Sequence, residues 1–111
     1  MTYTIDGEIT FFERFEADIV SGAKNITLRD QSESHFKVGQ RLNVATFEDK
    51  RWFCDILVER VEKLAFSDLN DVHAQQENMT LSELKKVIVD IYGAIDTLYL
   101  IGFSVIKSSA K

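Results

Sequence analysis

The sequence is most informative at first in what it leaves out. It has no proline, one cysteine, two histidines and five glycines in 111 residues. A lone cysteine, Cys54, cannot form an intrachain disulfide, which points to a reducing compartment and a cytoplasmic protein. Two histidines, His35 and His73, with no His-Glu-x-x-His pair, make a metal centre a poor expectation. His73 and Glu77, four residues apart, are the one pairing a continuous helix would bring together. Five scattered glycines supply neither a phosphate-cradling loop nor a Gly-x-Ser-x-Gly elbow. Without proline, Gly93 is the residue placed to end the last helix. No apolar run approaches the ~18 residues of a membrane span, and the start, Met-Thr-Tyr-Thr-Ile-Asp, lacks the basic and apolar regions of a signal peptide. Basic residues are also short: 13 against 18 acidic ones, a net charge of -5, with no basic block longer than Lys85-Lys86. Tight nucleic-acid binding is therefore unexpected, and a small, weakly charged ligand fits better.

What is present is the composition of one folded domain, 45% hydrophobic with 8 phenylalanines. Residues 1–7 and 107–111 read as loose ends. A first strand is expected over 8–11. A helix follows over 11–21, with Phe12, Phe15 and Ile19 on one face and Gly22 at its end. Residues 25–29 read as a strand with Ile26 and Leu28 on one side and Thr27 and Arg29 on the other. A polar loop, 30–35, leads to a hairpin of strands 41–47 and 51–61 across Glu48-Asp49-Lys50. A helix is expected over 67–76, with Leu69 and Val72 apolar and Ser67 or Asp68 as cap. Thr80 and Glu83 match a capping box, opening a helix whose core stripe is Leu84, Val87, Ile88 and Ile91. A last, interior strand spans 98–106. This order describes an α+β protein, a small mixed or antiparallel β-barrel carrying helices.

The chemistry-bearing side chains concentrate in Gly22-Ala23-Lys24-Asn25-Ile26-Thr27-Leu28-Arg29-Asp30. A polar stripe on a strand lines a pocket or faces solvent, and periodicity does not choose between them. A threonine hydroxyl attacks a carbonyl only when a neighbouring base takes its proton. Lys24 is such a base only when neutral, so it must lie sheltered from water; on an open loop it is an ordinary surface lysine. Glu77, at a corner between two helices, is the candidate proton donor. Direct contact between Lys24 and Glu77 favours the charged form of each, so the two are expected to flank a substrate rather than touch. Cys54, inside an apolar strand, reads as an inert buried thiol.

The nine-residue stretch, the loop Ser32-Glu33-Ser34-His35-Phe36, and the run from His73 through Gln76-Glu77-Asn78-Met79-Thr80-Leu81 to Ile88 resemble the small bacterial ASCH-domain proteins, and more closely their N(4)-acetylcytidine amidohydrolase branch. The resemblance covers about Ile9 to Phe103. It implies a single ASCH domain over 1–111: a PUA-like β-barrel of about five to six mostly antiparallel strands with two to three helices packed on it. It also implies hydrolysis of N(4)-acetylcytidine to cytidine and acetate, with Lys24 as base, Thr27 as nucleophile and Glu77 as proton donor. Arg29 is then a candidate substrate-binding residue. No metal or other cofactor is implied; the partner is a small nucleoside, and the protein a monomer or weak dimer. The alternative is a non-catalytic RNA- or nucleotide-binding module of the same superfamily. Ala23, Asn25 and Leu28 vary spacer positions of the motif without removing a functional group.

Overall fold

The computed structural model describes residues 3–108. Five strands form one sheet: β1 (Gly7–Phe11), β2 (Ile26–Arg29), β3 (Arg41–Thr46), β4 (Trp52–Ala65) and β5 (Thr97–Ser108). Their order across the sheet is β1-β3-β4-β5-β2. β1 pairs with β3 in parallel, and every other pairing is antiparallel. Register shifts between Asp55 and Ile56 and between Val58 and Arg60 bend the long β4–β5 ladder. The result is a curled half-barrel accompanied by three α-helices, α1 (Glu16–Ser21), α2 (Asp71–Gln76) and α3 (Leu81–Tyr92).

Alternation within the strands builds two apolar clusters. One, with Ile9, Phe11, Ile19, Leu42, Phe53, Ile101 and Phe103, fills the curl of the sheet. The other, with Ile26, Leu28, Leu84, Ile88, Leu98 and Leu100, seals the sheet against α2 and α3. The capping box on α3 forms as expected, with Thr80 and Glu83 each accepting from the other's backbone N–H. At the end of α1, Gly22 takes φ 86°, the left-handed geometry that a side chain disfavours, and turns the chain toward Lys24.

Several expectations change. The first helix is shorter: Phe11 stays in β1, Glu13–Phe15 forms a 3-10 turn, and α1 begins only at Glu16, with neither Phe12 nor Phe15 supplying a side-chain cap. The second helix starts at Asp71, capped by Asn70 rather than Ser67 or Asp68, with Phe66–Asp68 as a 3-10 turn before it. Val72, expected on its core face, is 59% exposed, while Leu69 is buried ahead of the helix. β4 and β5 are both longer than expected, since each supports the other through an extended antiparallel ladder. Lys107 and Ser108, expected in a loose tail, belong to β5. The leading residues are held as well: the Tyr3 hydroxyl donates to Asp55 at 2.8 Å, and the Asp6 N–H donates to the Arg41 carbonyl at 2.7 Å. The expectation of loose ends at 1–2 and 109–111 lies outside the described residues.

Candidate active site

Lys24, Thr27 and Glu77 are each only 4% exposed, although they come from a turn, a strand and a helix end. Three backbone bonds bring them together. The Lys24 N–H donates to the Asp18 carbonyl at 2.9 Å, fixing the turn after α1. The Asn25 N–H donates to the Gln76 carbonyl at 2.9 Å, tying the start of β2 to the end of α2. The Phe103 N–H donates to the Asn25 carbonyl at 2.9 Å, extending the link to β5. Glu77 is the C-cap of α2, and the next residue, Asn78, adopts φ 58°, so the chain reverses and leaves the Glu77 side chain directed inward. The Asn78 amide also donates to the Asp18 carboxylate at 3.2 Å, locking that corner onto α1.

The Lys24 amine meets the Glu77 carboxyl group directly. This corrects the expectation that the two stand apart across a substrate. The Asn25–Gln76 bond clamps their neighbouring backbones, so the side chains have nowhere else to go. Burial, and then the positive charge of Arg29, lower the Lys24 amine from its ordinary 10.5 to about 7; the Asp18 carboxylate opposes the fall. The faces of Phe15 and Phe11 lie 5.0 and 5.7 Å from the amine and keep that side of it dry.

Arg29 closes the half-barrel. β1 and β2 are the two edges of the sheet and have no backbone ladder between them. Across the gap an Arg29 terminal nitrogen donates to the Thr10 carbonyl at 2.8 Å, and the guanidinium lies 4.6 Å from the Phe11 ring centroid. The other terminal nitrogen donates to both Glu33 carboxylate oxygens at 3.1 and 3.0 Å. The Nε–H donates to the Thr27 hydroxyl oxygen at 2.8 Å. All three guanidinium nitrogens thus have protein partners.

The gap that Arg29 bridges opens into a pocket of about 260 Å³. Lys24, Thr27, Arg29 and Glu77 line one part of it, at the seam between the two apolar clusters. Thr10 and Glu33 add two more polar residues, and the rest of the wall is mostly apolar, with Phe12, Phe47 and Tyr92 among its aromatic members. The whole stripe expected to face the core from α3, Leu84, Val87, Ile88 and Ile91, borders this pocket; Leu84 and Ile88 are also buried in the second apolar cluster, whereas Ile91 is exposed. The arrangement combines a buried amine, a carboxyl group and a hydroxyl beside a slot with flat apolar sides, the parts list of an acyl-transfer site.

The remaining candidates have structural partners. The His73 ring nitrogen Nδ1 accepts from the Asn70 N–H at 3.2 Å, completing the capping box of α2. His35 stacks on Phe36 at a centroid distance of 4.3 Å. Cys54 is fully buried, and burial pushes its thiol up to about 12, as its place in an apolar strand suggested. Among the described residues no three His, Cys, Asp or Glu side chains gather in a way that could hold a metal ion. Likewise, no helix is long and apolar enough to cross a membrane. The residue the sequence did not flag is Glu33, whose pairing with Arg29 crosses a 3-10 turn that has no apolar periodicity to reveal it.

Solved structures share the fold. An ASCH domain from Lactobacillus crispatus JV V101 matches with a TM-score of 0.77 at 18% identity, over 95% of this chain and 82% of that one. A protein from Enterococcus faecalis V583 matches with a TM-score of 0.75 at 17% identity, over 99% of this chain and 81% of that one. No family model matches. Curated relatives are much nearer in sequence. The N(4)-acetylcytidine amidohydrolase of Shewanella sp. (strain W3-18-1) is 58% identical over 99 residues, 89% of this chain and 96% of the relative. That of Shewanella sp. (strain MR-4) is 58% identical over 100 residues, 90% of this chain and 97% of the relative. With this identity running through nearly the whole of each relative, on an ASCH-type half-barrel, the chain belongs to the N(4)-acetylcytidine amidohydrolase family.

Proposed function

We propose that this protein hydrolyses the amide of N(4)-acetylcytidine, releasing cytidine and acetate, with Lys24 as base, Thr27 as nucleophile and Glu77 as proton donor. The observation that carries the reading is a buried lysine whose amine titrates near 7, in contact with a carboxyl group and sharing a pocket with a buried threonine hydroxyl. The flat apolar walls suit a pyrimidine base. Neutral Lys24 takes the Thr27 proton as Oγ1 bonds to the acetyl carbonyl carbon. Arg29, donating to that oxygen, favours the developing alkoxide. The carbon–nitrogen bond then breaks, and the cytidine nitrogen takes a proton from Glu77. Contact between Lys24 and Glu77 lets the proton gained by one replace the proton given by the other, so the pair works as a relay with a shared titration. Water next attacks the acetyl ester of Thr27 as Lys24 takes one of its protons, and Lys24 returns that proton to the Thr27 oxygen when the ester bond breaks; the acid leaves as acetate, giving its own proton to solvent. Each turnover consumes one water and leaves the proton count of the pair unchanged.

The same reading makes the protein a cytoplasmic monomer or weak dimer that works on a free nucleoside without a metal. The test is direct: purified protein is incubated with N(4)-acetylcytidine in chelator-treated buffer, and cytidine is followed by chromatography. Stoichiometric cytidine and acetate are expected, with kcat/KM rising with pH through about 7 as Lys24 loses its proton. Absence of turnover across that pH range refutes the reading.

A further inference from the structure

We propose that Glu33 is a positioning residue for this reaction: it holds the Arg29 guanidinium in the orientation that points Nε–H at the Thr27 hydroxyl oxygen. The inference rests on the hydrolase reading above and extends it to a residue outside the base, nucleophile and donor. The geometry is a chain of three contacts. Thr27 accepts from Arg29 at 2.8 Å, and Arg29 donates to Glu33 at 3.0 and 3.1 Å. Glu33 is in turn placed by a short 3-10 turn, Gln31–Glu33, whose first residue is preceded by Asp30; the Asp30 side chain accepts from the Ser32 N–H at 3.0 Å. An arginine held only by the Thr10 carbonyl and the face of Phe11 keeps freedom to rotate about the strand edge. A carboxylate gripping one terminal nitrogen with both oxygens removes it.

Fixing that donor does two things. It occupies one lone pair of the Thr27 oxygen, which leaves the hydroxyl proton to point elsewhere in the pocket, and it sets where the positive charge of Arg29 sits relative to Lys24. The charged groups around this chain come from every packed element: Asp18 from α1, Glu77 from the end of α2, Arg29 from β2, and Asp30 and Glu33 from the turn after it. Tyr92 of α3 also feels Arg29, Glu33 and Asp30. Of these, Glu33 is the one that neutralises Arg29 by direct pairing.

The test compares wild type with Glu33→Gln, which keeps shape and an acceptor but no charge, and Glu33→Asp, which keeps charge but shortens the reach. With Glu33→Gln, Arg29 is left unneutralised and disfavours the Lys24 ammonium more strongly. The acid-side limb of kcat/KM, its rise with pH, should then move about half a pH unit toward acid. kcat should fall roughly tenfold as the Thr27 hydroxyl loses its fixed donor, with KM within about twofold of wild type. Glu33→Asp should keep the wild-type pH limb and lose only kcat. The Cε chemical shift of Lys24 in 13C-lysine-labelled protein reads the same titration with no substrate present, so an unmoved titration there counts against this inference separately from any failure of the hydrolase reading. A Glu33→Gln protein whose Lys24 titration and kcat both match wild type overturns the proposal, as does one whose only change is a raised KM.

Discussion

The polar clusters around Asp55 and Lys24 are both centred on a buried ionisable group, and they differ in what their charges meet. Around Asp55, on the far part of β4, three donors converge on one carboxylate: the Tyr3 hydroxyl at 2.8 Å, the Asn43 amide at 2.6 Å and the Trp52 indole N–H at 2.8 Å. Those bonds outweigh burial and hold the carboxyl below the usual carboxylate range. Around Lys24 the balance is reversed: contact with Glu77 favours the ammonium, but burial and then the Arg29 charge outweigh it and the amine loses its hold on its proton. Asp55 is in its ordinary charged state and fully partnered, so it ties the leading residues and β3 to β4. Lys24 is poised between two states beside a pocket. The lesson is that burial of a charge does not mark a reactive site. A buried charge whose partners match it is a strut, and one whose environment disfavours its ordinary state is available for chemistry.

The sharpest way to break this contrast is Thr27→Ala. Loss of activity of about 10³-fold or more is expected with an unchanged thermal transition, since the methyl group fits the same space; near-normal cytidine release by this variant ends the covalent scheme. Next comes Lys24. Lys24→Arg cannot lose its proton and should be inactive within assay limits. Lys24→Met carries no charge and isolates the stability term. The native amine titrates near 7 and the unfolded one near 10.5, so between those values the unfolded chain binds the extra proton. The penalty for burying Lys24 is therefore complete below pH 7 and is relieved as pH rises toward 10.5. The advantage of Lys24→Met over wild type in urea unfolding should shrink over that window by roughly a few kcal/mol, and a constant difference would show that the amine is not displaced from its ordinary range.

The Asp55 cluster should respond in the opposite currency. Asp55→Ala strands three donors and should cost about 2–4 kcal/mol in unfolding free energy while kcat/KM at 25 °C stays within about twofold of wild type. A kinetic loss comparable with that of Thr27→Ala would erase the distinction between strut and site. Because its carboxyl is held low, the contribution of Asp55 is present at neutral pH and fades as pH falls through its native value. The smallest change is Trp52→Phe, which removes one of the three donors; about 1 kcal/mol of stability and no kinetic effect are expected.

Much of the local structure was legible because it rests on neighbours in the chain. The Thr80–Glu83 box, the Gly22 stop, the β3–β4 hairpin and the opposite faces of Ile26 and Leu28 against Thr27 and Arg29 all follow from spacing alone. Boundaries failed where long-range pairing overrode local signals. β4 runs on to Ala65 and β5 to Ser108 because each has the other as partner, and no residue within either strand announces that. The apolar stripe of α3 reads as core-facing, but all four of its residues border the pocket and only Leu84 and Ile88 are also buried in the core, since periodicity records which residues avoid water and not which cavity they border.

For the site, the sequence by itself determined the reactive groups: an amine, a hydroxyl and a guanidinium within six residues, and a carboxyl at a helix corner. Only the tertiary structure decided that Glu77 touches Lys24, that Arg29 reaches across to the Thr10 carbonyl on the other sheet edge while donating to Thr27, and that Glu33 holds Arg29. The reason is physical. Which groups exist is a property of the chain, but a proton's affinity for an amine depends on the charges and the amount of water around it, and those are set by which distant segments the fold brings to its side.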